Sequence, residues 1–325
     1  MASKLARQRH AAIDRDRESL VLIGARAASR IGIEARAAAL AAVDANPNNV
    51  TAIAHAVGIA LDQITPILID GMVAAHLRGR YRMVLSARDA LRRQQRQAIA
   101  AGPFGSVLDW LRRKLHIGDA HVTALQATYT PAASRAAGES IDWVQDRIRV
   151  VMTRIIERGD HVTAGVKALR DEFDRIGITT ITGGNGRILN RGHLLKTLYR
   201  TQVNMAYSAG RWQAAQDPDI DAILWGWEYM AIDDSRVRPT HLAMDGTRLP
   251  KGDAMWQTNT PPMGWNCRCS TVEIFHGDES DGQRLDTNQP PKTQVDGEPV
   301  RAVPDAGFDF NPGVTFVDLI PTLPL

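Results

Sequence analysis

Both cysteines of this 325-residue chain sit two positions apart, at the end of one polar stretch that runs from Asp234 to Cys269. The stretch reads DSRVRPTHLAMDGTRLPKGDAMWQTNTPPMGWNCRC. Arg236, Arg238, His241, Asp245, Gly246, the Pro261-Pro262 pair, Asn266, Cys267 and Cys269 fall in it with little apolar periodicity between them. A segment this polar, anchored by Trp256, Pro262 and Trp265, is neither a core helix nor a plain strand pair. It is a site, or a small ordered knot held by something other than a hydrophobic core.

Thiolate and imidazole are the preferred ligands of zinc, and a loop cluster with a poor core gains stability from a closed metal site. Cys267, Cys269 and His241 supply three such ligands, and Asp234, Asp245, His276 or water is the expected source of a fourth. The competing reading makes the cysteines small buried apolar residues and His241 a hydrogen-bonded structural histidine. A third reading places a nucleophilic thiol next to His241 and a nearby acid, as in a metal- or Cys-dependent hydrolase or transferase. No nucleophile context surrounds either cysteine, so no catalytic residue is assigned and the chain is not expected to be an enzyme. Asp234, Arg236 and Arg238 read as a turn held by a charge network. With Asp245, Gly246, Pro262 and Asn266, Asp234 and Arg236 are expected to shape the motif.

Charge is unevenly placed. Residues 1–120 carry 18 Lys/Arg against 10 Asp/Glu, and the remainder carries 21 against 26. A basic first third points to an anionic partner, either double-stranded DNA or an acidic protein face; its bland alternative is a solvated arginine-rich helix surface. The series Arg78, Arg80, Arg82, Arg88, Arg92, Arg93 and Arg96 is the expected nucleic-acid face. No run of about 18 uncharged apolar residues suggests a membrane partner. The charged N-terminus lacks the apolar stretch of a signal peptide, so a reducing cytoplasm is the expected site of synthesis.

The fold class expected is α+β, with a mostly helical N-terminal two-thirds followed by a small mixed α/β C-terminal domain with a loop-rich Cys/His motif and an extended tail. Asn48-Asn49 is a candidate cap for a helix through Leu61, which Pro66 should kink or restart. Residues 76–101 read as an exposed helix broken by Gly102-Pro103, followed by a short amphipathic piece around Val107, Leu108 and Leu111. Ile141, Val144, Ile148, Val151 and Ile155 stack on one face of a helix over 139–158, with Gly159 at its end. A further helix is expected from Thr163 to near Gly177. The GGNG at 183–186 lacks a phosphate loop's Lys-Ser/Thr and reads as a turn. A long helix over about 190–216 stops at Asp217-Pro218. Strands are expected at Ala222–Ile232 and Ser270–Phe275. The division expected is a basic helical region over 1–135, a motif-bearing domain over 136–276 and an extended arm over 277–325.

Several of these elements together resemble a known family. The order is Trp227-Glu228-Tyr229, then D-x-R-x-R-P-x-H-x-x-x-D-G from Asp234 to Gly246, Trp256, P-P-x-G-x-N-C-R-C from Pro261 to Cys269, and G-F-D-F-N-P-G from Gly307 to Gly313. It is similar to the Mu F-like minor head proteins, also called phage head morphogenesis proteins. Arg200, Thr201, Asn204, Tyr207 and Gly210 stand where the family's R-T-x-x-N-x-x-Y-x-x-G pattern places them. The resemblance covers roughly 140–315. It departs at Trp265, where histidine is often expected, and at a short tail that does not suit a toxin-bearing member.

The resemblance implies a minor capsid protein of a tailed phage or prophage. Such a protein acts in head morphogenesis, in association with the portal and other head proteins, and in contact with packaged DNA. Its implied location is the virion head, assembled in the host bacterial cytoplasm. The alternatives are the hydrolase or transferase above, or a non-specific nucleic-acid-binding module.

Overall fold

The computed structural model describes residues 4–97, 118–158, 162–177, 181–182, 188–190, 194–278, 283–284 and 290–317. The Gly102-Pro103 break, the 107–111 piece, the Gly159 cap and the GGNG turn lie outside them. In chain order the elements begin with helices α1 (Lys4–Ala45), α2 (Val50–Asp62), α3 (Ile64–Gln97), α4 (Asp119–Glu157) and α5 (Val162–Ile176). Short strands β1 (Ile181–Thr182) and β2 (Ile188–Asn190) precede α6 (Leu194–Ala215) and α7 (Pro218–Asp221). Then come β3 (Leu224–Met230), α8 (Pro239–Leu242), β4 (Thr247–Pro250) and a 3-10 turn at Ala254–Gln257. The chain continues through β5 (Ser270–Phe275), β6 (Gln283–Arg284), β7 (Lys292–Val295), β8 (Glu298–Arg301) and α9 (Pro312–Val317). The α+β class holds, with the helices concentrated in the N-terminal part.

The local signals explain many boundaries. The Asn49 side chain accepts from the Ala52 N–H at 3.0 Å and caps α2. Gln63 ends that helix, and Pro66 lies in the first turn of the restarted α3, where a missing N–H costs nothing. Asp217 caps α7 by accepting from the Asp219 N–H, with Pro218 in the first turn. The helix expected over 139–158 is the last half of α4, which begins twenty residues earlier and carries Pro131 within it. That first half is alanine-rich and shows little apolar periodicity, so its helicity was not legible.

Contacts group the chain into two compact units. One comprises residues 21–71 and 129–202. Its buried residues include Ile31, Val43, Ile53, Val57, Leu61, Ile64, Leu68, Tyr129, Val144, Ile148, Leu169, Phe173 and Tyr199. The stretch Val50–Arg93 contains an 18-residue window with mean hydropathy 1.6, apolar enough by composition to cross a membrane. It is broken at Gln63, and Ile53, Val57, Leu61, Ile64 and Leu68 within it are buried in the protein. Glu172 accepts from Arg147 at 2.8 Å and from Arg175, and these hydrogen bonds hold its carboxyl below its ordinary pKa.

The other unit comprises residues 1–20, 72–128 and 203–325 and holds the motif. Its sheet has the order β5-β3-β4-β6, antiparallel except for the β4–β6 pair. β3 is buried along almost its whole length, so neither face shows a polar alternation. Trp227 stacks on Trp212 with ring centroids 5.5 Å apart, against a core that includes Met83, Ala87, Met244, Trp256, Met263 and both cysteines. Helices α3 and α6 cross closely. A side chain at Gly79 would strike the Tyr207 carbonyl, and one at Gly210 the His76 carbonyl.

The C-terminal segment, expected as an extended arm, has structure of its own. β7 and β8 form a hairpin whose turn, Asp296-Gly297, has positive φ at both positions (52° and 86°). The chain then returns to the motif. Asn259 Nδ2 donates to the Ala302 carbonyl, the Asp305 N–H to the Met263 carbonyl, and Asn311 Nδ2 to the Trp256 carbonyl.

Candidate functional site

The site is built where β3 ends. Leaving Met230, the chain turns at Asp234, whose carboxylate takes both Arg268 guanidinium nitrogens at 2.8 and 2.7 Å and the Arg236 N–H at 3.0 Å. The Arg268 hydrogen bonds, with those from Arg236, hold the Asp234 carboxyl well below the usual carboxylate range. Pro239 then starts the single turn α8, which carries His241 inward to 1% exposure.

Asp245-Gly246 closes that turn back onto the strand. Asp245 Oδ1 accepts from the Ala231 N–H at 2.9 Å, and the Gly246 N–H donates to the Tyr229 carbonyl at 2.8 Å. Gly246 has φ of 74°, a conformation that favours glycine.

The cysteine turn approaches from the other side. Pro261-Pro262 is a cis peptide and Asn266 has φ of 59°, so the backbone doubles back before Cys267. Three distant side chains fix it. Asn204 Nδ2 donates to the Cys267 carbonyl at 2.8 Å, and Arg17 donates to the Cys269 carbonyl at 2.8 Å and the Arg268 carbonyl at 2.6 Å. Arg238 donates to the Trp265 carbonyl at 2.9 Å.

His241 Nδ1 lies 3.5 Å from Cys267 Sγ and 3.8 Å from Cys269 Sγ, and the three donor atoms fall within 4.8 Å of one another. Cys267 and Cys269 are 2% and 3% exposed and are not disulfide-bonded. A hydrogen bond from Cys269, with help from His241 and the Met263 N–H, pushes the Cys267 thiol well down against the effect of burial. The Cys267 sulfur and burial push the Cys269 thiol well up. The Ile232 N–H and the Tyr229 hydroxyl work in the opposite sense on Cys269. Tyr229 is wholly buried, and burial first, then the two sulfurs, push its own hydroxyl far up.

The structure therefore brings together the three residues predicted as metal ligands. No fourth His, Cys, Asp or Glu joins them among the described residues. Asp234 is committed to Arg268, Asp245 is engaged with the Ala231 N–H, and the His276 N–H pairs with Ile223 near the start of β3, away from the Met230 end. The cluster could hold a metal ion.

The arginine series is dispersed. Arg80 is buried, beside His121. Arg78 and Arg82 pair with the buried Asp16, Arg88 with Asp89 and Arg93 with Asp278. Arg92 also makes an interaction, and the Arg96 side chain lies outside the described set.

Sequence reasoning missed the contribution of the first helix. His10 meets Ser270 Oγ at 2.7 Å, and Asp16 accepts from the Tyr207 hydroxyl at 3.1 Å. Contacts spanning 260 and 191 residues leave no local signal. It also gave no role to Tyr229 or to Glu228, which is buried and pairs with Arg248 across the β3–β4 register at 3.9 Å.

Comparison with known proteins meets this geometry. Residues 146–272 match the family model described as Phage Mu protein F like protein. This region is similar to the Mu F-like family. The Mu F-like segment begins inside α4, ends in β5, and so encloses Asn204, Tyr229, His241, Cys267 and Cys269. The chain is similar to the "Putative capsid assembly protein F" of Escherichia phage Mu, 29% identical over 198 residues, covering 51% of this chain and 44% of that protein. It is also similar to the "Mu-like prophage FluMu F protein" of Haemophilus influenzae, 34% identical over 129 residues, covering 39% of this chain and 31% of that protein. The chain thus matches less than half the length of either relative. No solved structure matches it.

Proposed function

We propose that this chain is a minor head protein of a tailed phage or prophage and acts in head morphogenesis. The observation that carries the reading is the likeness to phage Mu's capsid assembly protein F together with the Mu F-like region, which encloses the whole supported motif. The burial of His241 and both thiols supports a structural role over catalysis, because a nucleophile must meet its substrate. The partners proposed are the portal and other head proteins, and the location is the virion head.

Two finer parts belong to the same reading. The partly exposed arginines Arg78, Arg88 and Arg93 are the candidates for contact with packaged DNA, through salt-sensitive, sequence-independent phosphate pairing. The Cys/His knot is a structural metal site, and zinc is the ion its donors suit.

The test is co-expression with the portal and major head proteins of the same phage or prophage, followed by size-exclusion chromatography and mass spectrometry of purified heads. Co-elution with portal and a few copies per head are expected. Normal infectious heads formed without the chain, with no association on co-expression, would overturn the proposal.

A further inference from the structure

The donor atoms of the knot carry a specific coordination scheme. A tetrahedral zinc with ordinary zinc–sulfur and zinc–nitrogen bonds separates its sulfur and nitrogen ligands by about 3.5 Å and its two sulfurs by about 3.8 Å. The His241 Nδ1 distances of 3.5 and 3.8 Å to the two sulfurs lie close to that first edge. Hydrogen bonding alone accounts for the trio poorly. Nδ1 has one site, for either a lone pair or a proton, yet it faces two sulfurs at once.

Both sulfurs are buried, at 2% and 3% exposure. The Tyr229 hydroxyl and His241 Nε2 are buried with no hydrogen-bond partner. A charged, metal-bound sulfur would give that hydroxyl a strong acceptor, as outer groups do around metal ligands.

We propose that Cys267 Sγ, Cys269 Sγ and His241 Nδ1 bind one zinc ion, with Tyr229 as a positioning residue that donates its hydroxyl to the Cys269 thiolate. Both thiols lose their protons on binding, so affinity rises with pH. Among the described residues no fourth His, Cys, Asp or Glu joins the three, and water takes the fourth position. Zinc fastens α8 to the Cys-Arg-Cys turn and keeps the pair from closing into a disulfide. The inference rests on reading this motif as a structural knot, and it concerns the ion rather than the head.

The test uses the full chain, purified without a chelating tag from zinc-supplemented cells. Elemental analysis is expected to give about one zinc per chain. Replacement by Co2+ is expected to give intense sulfur-to-cobalt charge-transfer absorption in the near ultraviolet and the visible bands of a tetrahedral ion. Cys267→Ser and His241→Ala should lose stoichiometric metal. Tyr229→Phe should keep the cobalt spectrum but bind zinc about 10-fold or more weakly in chelator competition. Because the ligand variants could fail to fold, chelator treatment of the unaltered chain is the control, and it should lower the Tm reversibly.

A folded wild-type chain with no stoichiometric metal and no cobalt spectrum overturns the inference, as does a native Cys267–Cys269 disulfide found by mass spectrometry. Tyr229→Phe with unchanged affinity overturns its positioning role. A metal-free chain that still joins the portal overturns only this inference. A zinc-loaded chain that joins no head protein overturns only the proposed function.

Discussion

Asn204 donates its side-chain amide to the Cys267 carbonyl at 2.8 Å, tying the middle of α6 to the turn that carries both cysteines. The bond is buried, with Asn204 and Cys267 each 2% exposed. Replacing Asn204 by Ala removes the donor and leaves the carbonyl without its partner. The expected loss is about 1–3 kcal/mol in urea denaturation. If the variant unfolds at the wild-type midpoint, the carbonyl has another donor and the tie is dispensable.

The crossing of α3 and α6 makes a prediction with a sign. Glycine to alanine within a helix normally stabilises by roughly 0.5–1 kcal/mol. Gly138, in α4, has nothing within 4 Å of an added methyl, so Gly138→Ala should show that gain. Gly210→Ala drives its methyl into the His76 backbone carbonyl, which is not the end of a flexible side chain. It should destabilise by about 1–3 kcal/mol or more, as overpacking does. Thermal melts of the two variants side by side decide the matter, and a stabilised Gly210→Ala would rule out the close crossing.

Glu273 is fully buried in β5, faced by Arg211 and, at 3.8 Å, by Arg9. Burial would raise its pKa, but Arg211 and Arg9 more than reverse that and hold it below the ordinary value. Removing one partner of such a pair strands the other charge, so Arg211→Leu should cost about 3–5 kcal/mol at pH 7. The double variant Arg211→Leu/Glu273→Leu should recover much of this. Because the folded pKa is depressed, the contribution is present above the unfolded value and is lost as pH falls through the folded one. A double-mutant cycle repeated at pH 7 and below pH 4 should show the coupling shrink with acid.

A second pH effect comes from His76, which is buried and has Nε2 2.8 Å from Gln213 Oε1. Burial, with a smaller push from Arg80, lowers its pKa to about 4, and the Gln213 hydrogen bond offsets only part of that. The unfolded chain therefore takes up this proton first, near pH 6.5. Stability from this group is full above about 6.5 and falls as pH drops toward about 4, by up to about 1.4 kcal/mol per pH unit. His76→Gln should flatten the decline between pH 7 and 5 measured by urea midpoints. Some slope should remain, because His10, also buried, is lowered to about 3.

The sequence by itself determined the features whose causes are local. Asn49 caps its helix, Pro66 restarts the next, Asp217-Pro218 stops α6, and the run Ser270–Phe275 is a strand from end to end. The candidate ligands were legible because zinc chemistry names residue types, and the chain has only two cysteines. The hairpin at Asp296-Gly297 was missed despite its turn signal, since its strands are largely exposed and lack an apolar alternation. Only the tertiary structure decided which charges serve the interior. Arg80 and Arg93 belong to one arginine-rich helix, yet the first is buried and the second pairs with Asp278. Only folding brings Arg17 to the Cys269 carbonyl and Asn204 to that of Cys267. Helical and turn preferences act over a few residues, whereas burial and ion pairing depend on which segments, however distant in the chain, come to lie side by side.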